Sequence, residues 1–156
     1  MGYVEELRAI VGHRPLILVG AVVIVLDPSG KLLLQQRKHP HGSWAIPGGL
    51  MELGESVEDT ARRELYEETK LTAGELHLIN VYSGPNNFLV APNGDEFYTV
   101  TAAFYSTDIT GELTIDREES LDFRYFATDD IPQFIAGSHK RILDEFMAKH
   151  YSQIMK

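Results

Sequence analysis

The segment Gly48–Leu71 reads GGLMELGESVEDTARRELYEETKL, and the rest of the chain can be placed around it. Its two opening glycines predict a turn in which backbone and ligand approach closely, because glycine has no Cβ atom. Ser56 and Asp59 are spaced as in a capping box, which predicts that a helix begins here. The expected buried stripe of this helix recurs at every fourth residue: Val57, Ala61 and Leu65. The segment therefore predicts a glycine turn followed by an amphipathic helix.

One face of this helix carries three carboxylates, because Glu64, Glu67 and Glu68 are spaced three and four residues apart. Like charges at this spacing destabilise a helix by about 0.2–0.5 kcal/mol per pair. A solvated surface is the ordinary explanation for such a face. Here, however, the triplet follows a Gly-Gly turn and is joined by Glu55 and Arg63. Because Mg²⁺ prefers several oxygen ligands, this arrangement indicates a divalent-cation site.

The same segment resembles the signature box of the Nudix hydrolases, G-x5-E-x7-R-E-U-x-E-E-x-G-U, in which U is a bulky aliphatic residue. Eight positions match: Gly49, Glu55, Arg63, Glu64, Leu65, Glu67, Glu68 and Leu71. One position departs, since Lys70 stands where the family has the glycine that ends the helix. That glycine does no chemistry, so the departure concerns the end of the helix and not the expected activity.

The resemblance implies an α/β fold, an α/β/α sandwich around a mixed β-sheet, and hydrolysis of a nucleoside diphosphate linked to another group. Water would attack phosphorus with the help of Mg²⁺, or of Mn²⁺ in its place. Carried over by position, the metal ligands would be Glu64, Glu67 and Glu68 with the Gly48 carbonyl, and Glu55 near the metal. Arg63 resembles the family arginine that orients the carboxylates. The residues named for catalysis are Arg63, Glu67, Glu68 and Glu119.

Glu119 enters as the candidate general base, because the family often supplies a further carboxylate from the loop before the penultimate strand. Glu118 occupies the same loop, and both could be ordinary solvated acids. Asp95 and Glu96 compete for the role, although Asn93-Gly94 next to them equally indicates a hairpin turn. The identity of the base is therefore left open among these acids.

Composition limits the class of protein. The chain has 156 residues, 44% of them hydrophobic, and no cysteine, which predicts one domain over residues 1–156 without disulfides. The net charge of −9 argues against a nucleic-acid partner but not against a small phosphorylated ligand. Neither a membrane-spanning run nor a signal peptide is recognised, so a cytoplasmic monomer or homodimer with a small nucleotide-type substrate is expected.

Outside the box, hydrophobic patterning predicts strands separated by polar turns, with a helix at each end. Helices are expected at 3–12 and 138–151, and strands at 16–26, 31–37, 75–83, 97–107 and 121–126. The first two strands are expected to form a hairpin, and residues 84–96 a long loop. This order indicates helices on both sides of a sheet.

Substrate identity is left open at this level. Family members that cleave ADP-ribose often carry a proline soon after the box, and Pro85 lies near that position, but a Gly-Pro turn explains it equally well. A diadenosine polyphosphate or an oxidised nucleotide is an alternative substrate. A non-catalytic Nudix-fold module that senses a nucleotide is the rival function. Such modules typically lose box carboxylates, whereas this sequence keeps them, which favours the enzyme.

Overall fold

A computed structural model describes residues 2–156. Its helices are α1 (Tyr3–Val11), α2 (Val57–Thr69), α3 (His139–Phe146) and α4 (Ser152–Ile154), with a 3-10 turn at Pro85–Asn87 and a π-type turn at Met147–Tyr151. The first five strands are β1 (Leu16–Val25), β2 (Leu32–Arg37), β3 (Trp44–Ala45), β4 (Gly48–Leu50) and β5 (Thr72–Ala73). The other five are β6 (His77–Tyr82), β7 (Phe88–Val90), β8 (Glu96–Ser106), β9 (Ile109–Thr110) and β10 (Ser120–Phe126).

The main sheet is mixed and has the strand order β4-β1-β8-β6, with β7 added to β8. Strands β1 and β8 run parallel from the Leu16–Phe97 pair to the Val25–Ser106 pair. The run of β-branched residues in β1 suits this central, largely buried position. Strand β4 lies antiparallel to β1 at the edge, so the turn predicted at Gly48-Gly49 is wrong and both glycines belong to an edge strand.

Helices cover the main sheet on both sides, and the predicted α/β/α sandwich is confirmed. Helix α2 packs through buried Ala61 and Leu65, while Val57 is only partly buried. Helix α3 packs on the opposite side through Ile142, Leu143 and Phe146. Met147, which begins the π-type turn, is partly buried against the same cluster.

The hairpin predicted for the first two strands is wrong. Within residues 2–156, β1 and β2 meet through the single bridge Leu26–Leu32, and β2 then pairs with β10 and β3 in a second sheet. The turn itself forms, since the Asp27 side chain accepts from the backbone N–H groups of Ser29 and Lys31 at 2.9 Å. Pattern identified the turn, but it could not show that β2 diverges onto other partners.

The loop predicted at 84–96 also contains a strand. Strand β7 pairs with the start of β8 in the register Phe88–Tyr98 and Val90–Glu96. A tight turn joins them, closed by a hydrogen bond from the Ala91 N–H to the Asp95 carbonyl at 2.8 Å. The turn signal at Asn93-Gly94 therefore belongs to a hairpin. Across residues 2–156, no helix has both the length and the apolar character needed to cross a membrane.

Candidate active site

Helix α2 begins at the capping box that the sequence predicts. The Asp59 N–H donates to the Ser56 hydroxyl at 3.0 Å, and the Ser56 N–H donates to the Asp59 carboxylate at 3.1 Å. Both bonds satisfy N–H groups that the first turn of a helix leaves without partners. This start fixes the rotation of the helix, so Glu64, Glu67 and Glu68 share one face.

The helix ends at Lys70, which adopts the left-handed conformation with φ of 64° and ψ of 9°. Its N–H donates to the Tyr66 carbonyl at 2.8 Å, as in an ordinary C-terminal cap. A lysine therefore takes the conformation for which glycine is usual. The departure from the family signature changes the residue but not the backbone path.

Arg63 is the organising cation of the site. Its guanidinium donates to both oxygens of Glu55 at 2.6 and 2.9 Å, to Glu64 at 2.9 Å and to Glu67 at 3.3 Å. It also donates to the Leu50 carbonyl at 3.0 Å, which joins helix α2 to the outer edge of β4. The predicted role of Arg63 in orienting the box carboxylates has its geometric counterpart in these bonds.

Glu55 has its oxygens committed within the chain. Besides Arg63, it accepts from the Glu52 N–H at 2.8 Å and from the Thr60 hydroxyl at 3.1 Å. The hydrogen bonds from Arg63, followed by those from Glu52 and Thr60, lower the pKa of Glu55 to about 2 against the effect of burial. The structure thus places Glu55 beside the site, where it holds Arg63 and the loop before the helix.

Glu68 is in the opposite condition. It is 4% exposed, and its Oε2 atom has no hydrogen-bond partner within residues 2–156. Burial, together with the negative charge of Glu64, raises the pKa of Glu68 to about 9, while Arg37 acts in the other direction. The negative charge of Glu119 contributes to this raised pKa as a smaller cause.

The edge strand brings backbone groups to the same place. In a strand, the carbonyl groups of residues two apart point to the same side. Because the Leu50 carbonyl points outward to Arg63, the Gly48 carbonyl points to the same outer edge. A Cβ atom on Gly49 would lie 2.3 Å from the Cδ atom of Glu64. Only glycine therefore allows the Glu64 carboxyl to rest against this strand.

The carboxylates fit a divalent cation, although within residues 2–156 no three metal-ligating side chains already form a closed cage. Arg63 draws Glu64 and Glu67 toward itself, and three negative charges do not converge without a positive one among them. A buried carboxylate with a raised pKa and a bare oxygen is a group that a cation would stabilise in place of a proton.

A cavity of about 420 Å³ is lined by β4, the strand against which the Glu64 carboxyl rests. Gly48, Gly49 and Leu50 form one side of it, and the β7–β8 hairpin and the segment before α3 form the others. Its volume falls in the range of small-molecule sites. Two polar residues in its wall, Arg37 and His139, were missed by the sequence analysis.

Neither residue carries a local signal. Arg37 is the last residue of a strand. His139 is the first residue of a helix, and its hydrogen-bond partner Ile46 lies 93 residues earlier in the chain. Trp44 is a packing residue, since it is buried and meets Phe126 edge-on with ring centroids 4.9 Å apart.

The acids considered as bases are separated by the fold. Glu119 precedes β10 in an exposed turn, and its negative charge contributes to the raised pKa of Glu68. Asp95 is bound to His13 at 2.7 Å and to Arg8 at 3.6 Å, and Glu96 lies in the β7–β8 pair. The structure therefore ties Asp95 to the N-terminal segment and leaves Glu119 as an exposed loop acid.

Comparison with known proteins agrees with this geometry. The family model described as NUDIX domain matches residues 16–146. An ADP-ribose pyrophosphatase from Methanocaldococcus jannaschii is 32% identical over 129 residues, covering 81% of this chain and 72% of that protein. A putative 8-oxo-dGTP diphosphatase from Bacillus subtilis is 32% identical over 127 residues, covering 81% and 78%.

Solved structures with the same fold include a MutT NUDIX hydrolase from Burkholderia pseudomallei, with a TM-score of 0.71 and 26% identity over 83% of this chain and 98% of that one. The NUDIX domain of Shewanella oneidensis NrtR, solved with ADP ribose, gives a TM-score of 0.68 and 23% identity over 96% and 99%. At that identity the second likeness concerns the fold alone.

Proposed function

This chain belongs to the Nudix family and is a pyrophosphohydrolase, and from that premise we propose that it cleaves a nucleoside diphosphate derivative by metal-dependent attack of water on phosphorus. The observation that carries the proposal is Glu68, a buried carboxylate with an unpartnered oxygen beside two further glutamates and an apolar cavity. The rival, a sensing module without turnover, typically loses box carboxylates, whereas this chain keeps them.

We assign the cation, Mg²⁺ or Mn²⁺, to Glu64, Glu67, Glu68 and the Gly48 carbonyl. When bound, it would neutralise charge on the phosphates and lower the pKa of water. Glu55, predicted near the metal, has in this proposal a supporting role, because its oxygens already accept four hydrogen bonds. Through Arg63 it holds Glu64 and Glu67 in position on the helix face.

Glu119 acts in this proposal as the base that removes a proton from the attacking water. Carboxylates that bind a cation have their lone pairs committed and are poor proton acceptors. Glu119 lies outside helix α2, is exposed, and is close enough to Glu68 to affect its pKa. A loop carboxylate at this place can accept the proton while the helix carboxylates stay on the metal.

ADP-ribose is the first substrate that we propose to test, and 8-oxo-dGTP is the second. Relatives named for each compound are equally similar to this chain, at 32% identity. The cavity beside Gly48 and Gly49 would take the nucleoside portion and leave the pyrophosphate at the carboxylates. Capped RNA is a poorer fit, because the net charge of −9 disfavours a polynucleotide.

The test is turnover of a panel comprising ADP-ribose, 8-oxo-dGTP, a diadenosine polyphosphate and a capped oligonucleotide, each with Mg²⁺ and with chelator. Reaction in ¹⁸O-labelled water should place the label on a product phosphate and so identify the phosphorus attacked. Glu68→Gln serves as the inactive control. Binding of a nucleotide without turnover of any compound would favour the sensing module instead, and full activity after chelation would refute the metal dependence.

A further inference from the structure

The segment before α3 is attached to residues 44–46 by hydrogen bonds in which the acceptors are backbone carbonyls, except at His139, where the side chain accepts. The Trp44 N–H donates to the Phe134 carbonyl at 2.9 Å, and the Ala136 N–H donates to the Trp44 carbonyl at 2.8 Å. At the next step, the N–H of fully buried Ile46 donates to Nδ1 of His139 at 3.0 Å. The imidazole therefore takes the place of a carbonyl and continues the attachment of the segment before α3.

This bond determines which ring nitrogen carries the proton. Nδ1 accepts, so it has no proton in the neutral ring, and Nε2 must carry one. Burial, with the nearby positive charge of Arg37, lowers the pKa of His139 to about 3, so the ring is neutral at physiological pH. The side chain is thus a neutral donor with a fixed tautomer.

The donor is free to bind, and its residue lines the cavity. Nε2 has no hydrogen-bond partner among the residues that the structure describes, and it is not one of the polar atoms sealed away from solvent. His139 lines the cavity together with Arg37 and the Gly48-Gly49 edge. A ligand that extends from the carboxylates into the cavity would meet this N–H.

We propose that His139 is a substrate-binding residue whose Nε2–H donates a hydrogen bond to an uncharged acceptor on the nucleoside portion of the substrate. This inference rests on the proposed function, since it takes the cavity as the nucleoside site. A neutral donor in a largely apolar cavity selects by hydrogen bonding and not by charge. The same ring joins Ile46, between β3 and β4, to helix α3, so substrate recognition and local structure share one side chain.

Two substitutions separate these roles, because asparagine mimics Nδ1 of histidine and glutamine mimics Nε2. His139→Asn can keep an acceptor for the Ile46 N–H but loses the donor to the cavity. We expect KM to rise about tenfold with kcat within about twofold and a nearly unchanged Tm. His139→Gln keeps a donor but leaves the Ile46 N–H unpaired. Its Tm should fall by roughly 3–9 °C while KM changes by less than about threefold.

Equilibrium binding gives a readout independent of turnover. The Kd of α,β-methylene-ADP, an analogue that cannot be cleaved, should rise about tenfold in His139→Asn and stay within about threefold in His139→Gln. Lys140→Gln, an exposed neighbour paired with Asp144 at 3.2 Å, is the matched control and should change neither value. A wild-type KM and Kd in His139→Asn would overturn the proposal. Wild-type protein that binds the analogue but cleaves nothing would instead refute the proposed hydrolysis.

Discussion

Glu55 and Glu68 belong to the same loop-helix segment, yet their environments are opposite. Glu55 accepts four hydrogen bonds and has its pKa lowered to about 2. Glu68 is buried, one of its oxygens has no partner within residues 2–156, and its pKa is raised to about 9. The first carboxylate is stabilised by groups of the protein itself. The second has only the charge of Arg37 in its favour, which does not offset its burial, so a proton or a cation would stabilise it further.

We interpret this difference as that between a structural carboxylate and the proposed metal ligand. Burial of an unpaired charge is costly, and a chain selected for stability alone would place an apolar residue at such a position. The burial of Glu68 therefore supports a functional role for this residue, which the acidic composition of the helix alone does not. Four substitutions, with effects expected to range from loss of activity to a small gain in stability, test this difference.

Glu68→Gln should reduce kcat by roughly 10³-fold or more, because it removes a charged group proposed to hold the metal. In the metal-free protein at pH 8 the variant should unfold at an equal or higher temperature. The folded protein holds a proton on Glu68 that the unfolded chain releases, so stability falls as pH rises above about 4.5 toward 9. Glutamine abolishes that loss.

Glu67→Gln is the matched control for this first substitution. Glu67 is half exposed, so its replacement should also reduce activity strongly but leave the metal-free stability unchanged. Thermal unfolding in EDTA and in Mg²⁺, together with kcat, checks both variants. A Glu68→Gln protein with wild-type turnover would show that Glu68 is not a metal ligand.

Glu119→Gln should reduce kcat by roughly 10²–10⁴-fold, the usual contribution of a general base, with little change in metal affinity. Glu118→Gln, in the adjacent and equally exposed position, should do much less. The acidic limb of the kcat–pH profile should be lost only in the Glu119 variant. If that limb persists with near-normal kcat, the proton passes to another group, with Glu64 or Glu96 next to be substituted.

Glu55→Gln should reduce kcat by about tenfold, because Arg63 loses its bidentate partner and holds Glu64 and Glu67 less firmly. The stabilisation that Glu55 provides is fully present above its unfolded pKa of about 4.5 and is lost as pH falls through its folded pKa of about 2. Urea unfolding at pH 6 and pH 3 should therefore differ less in the variant than in the wild type. An identical pH dependence in both proteins would contradict this role.

Lys70→Gly has the smallest expected effect, a stabilisation of about 0.4–1 kcal/mol, because glycine adopts the left-handed conformation without strain. Lys70→Ala is the control, since alanine keeps the Cβ atom while removing the contact of Lys70 with the Tyr66 ring. The glycine variant should melt above the alanine variant, with unchanged kcat. A lower Tm for glycine than for alanine would show that φ of 64° is not strained here.

The box was predictable because its signals are local. Capping residues, the stripe of Ala61 and Leu65, and the carboxylate face all follow from spacing along one helix. The departure of β2 from β1, and strand β7, were not predictable, because pairing partners far along the chain decide them. His139 was missed for the same reason, since its meaning depends on a bond across 93 residues. The unpaired oxygen of Glu68 is likewise a property of burial and not of sequence spacing.

Because β1 and β2 belong to different sheets, the packing between the two sheets sets the distance between the proposed metal ligands and the proposed base. Helix α2 packs on β1 and β4 in the main sheet. Glu119 immediately precedes β10, which pairs at its start with Arg37 of β2 in the second sheet. The proposed metal ligands and the proposed base therefore belong to different sheets, which pack together through core side chains such as Leu26 and Leu34. Removal of a methylene group from this core contact is expected to shift one sheet relative to the other. The proton-transfer distance would then change although the residues that carry the proton are unaltered.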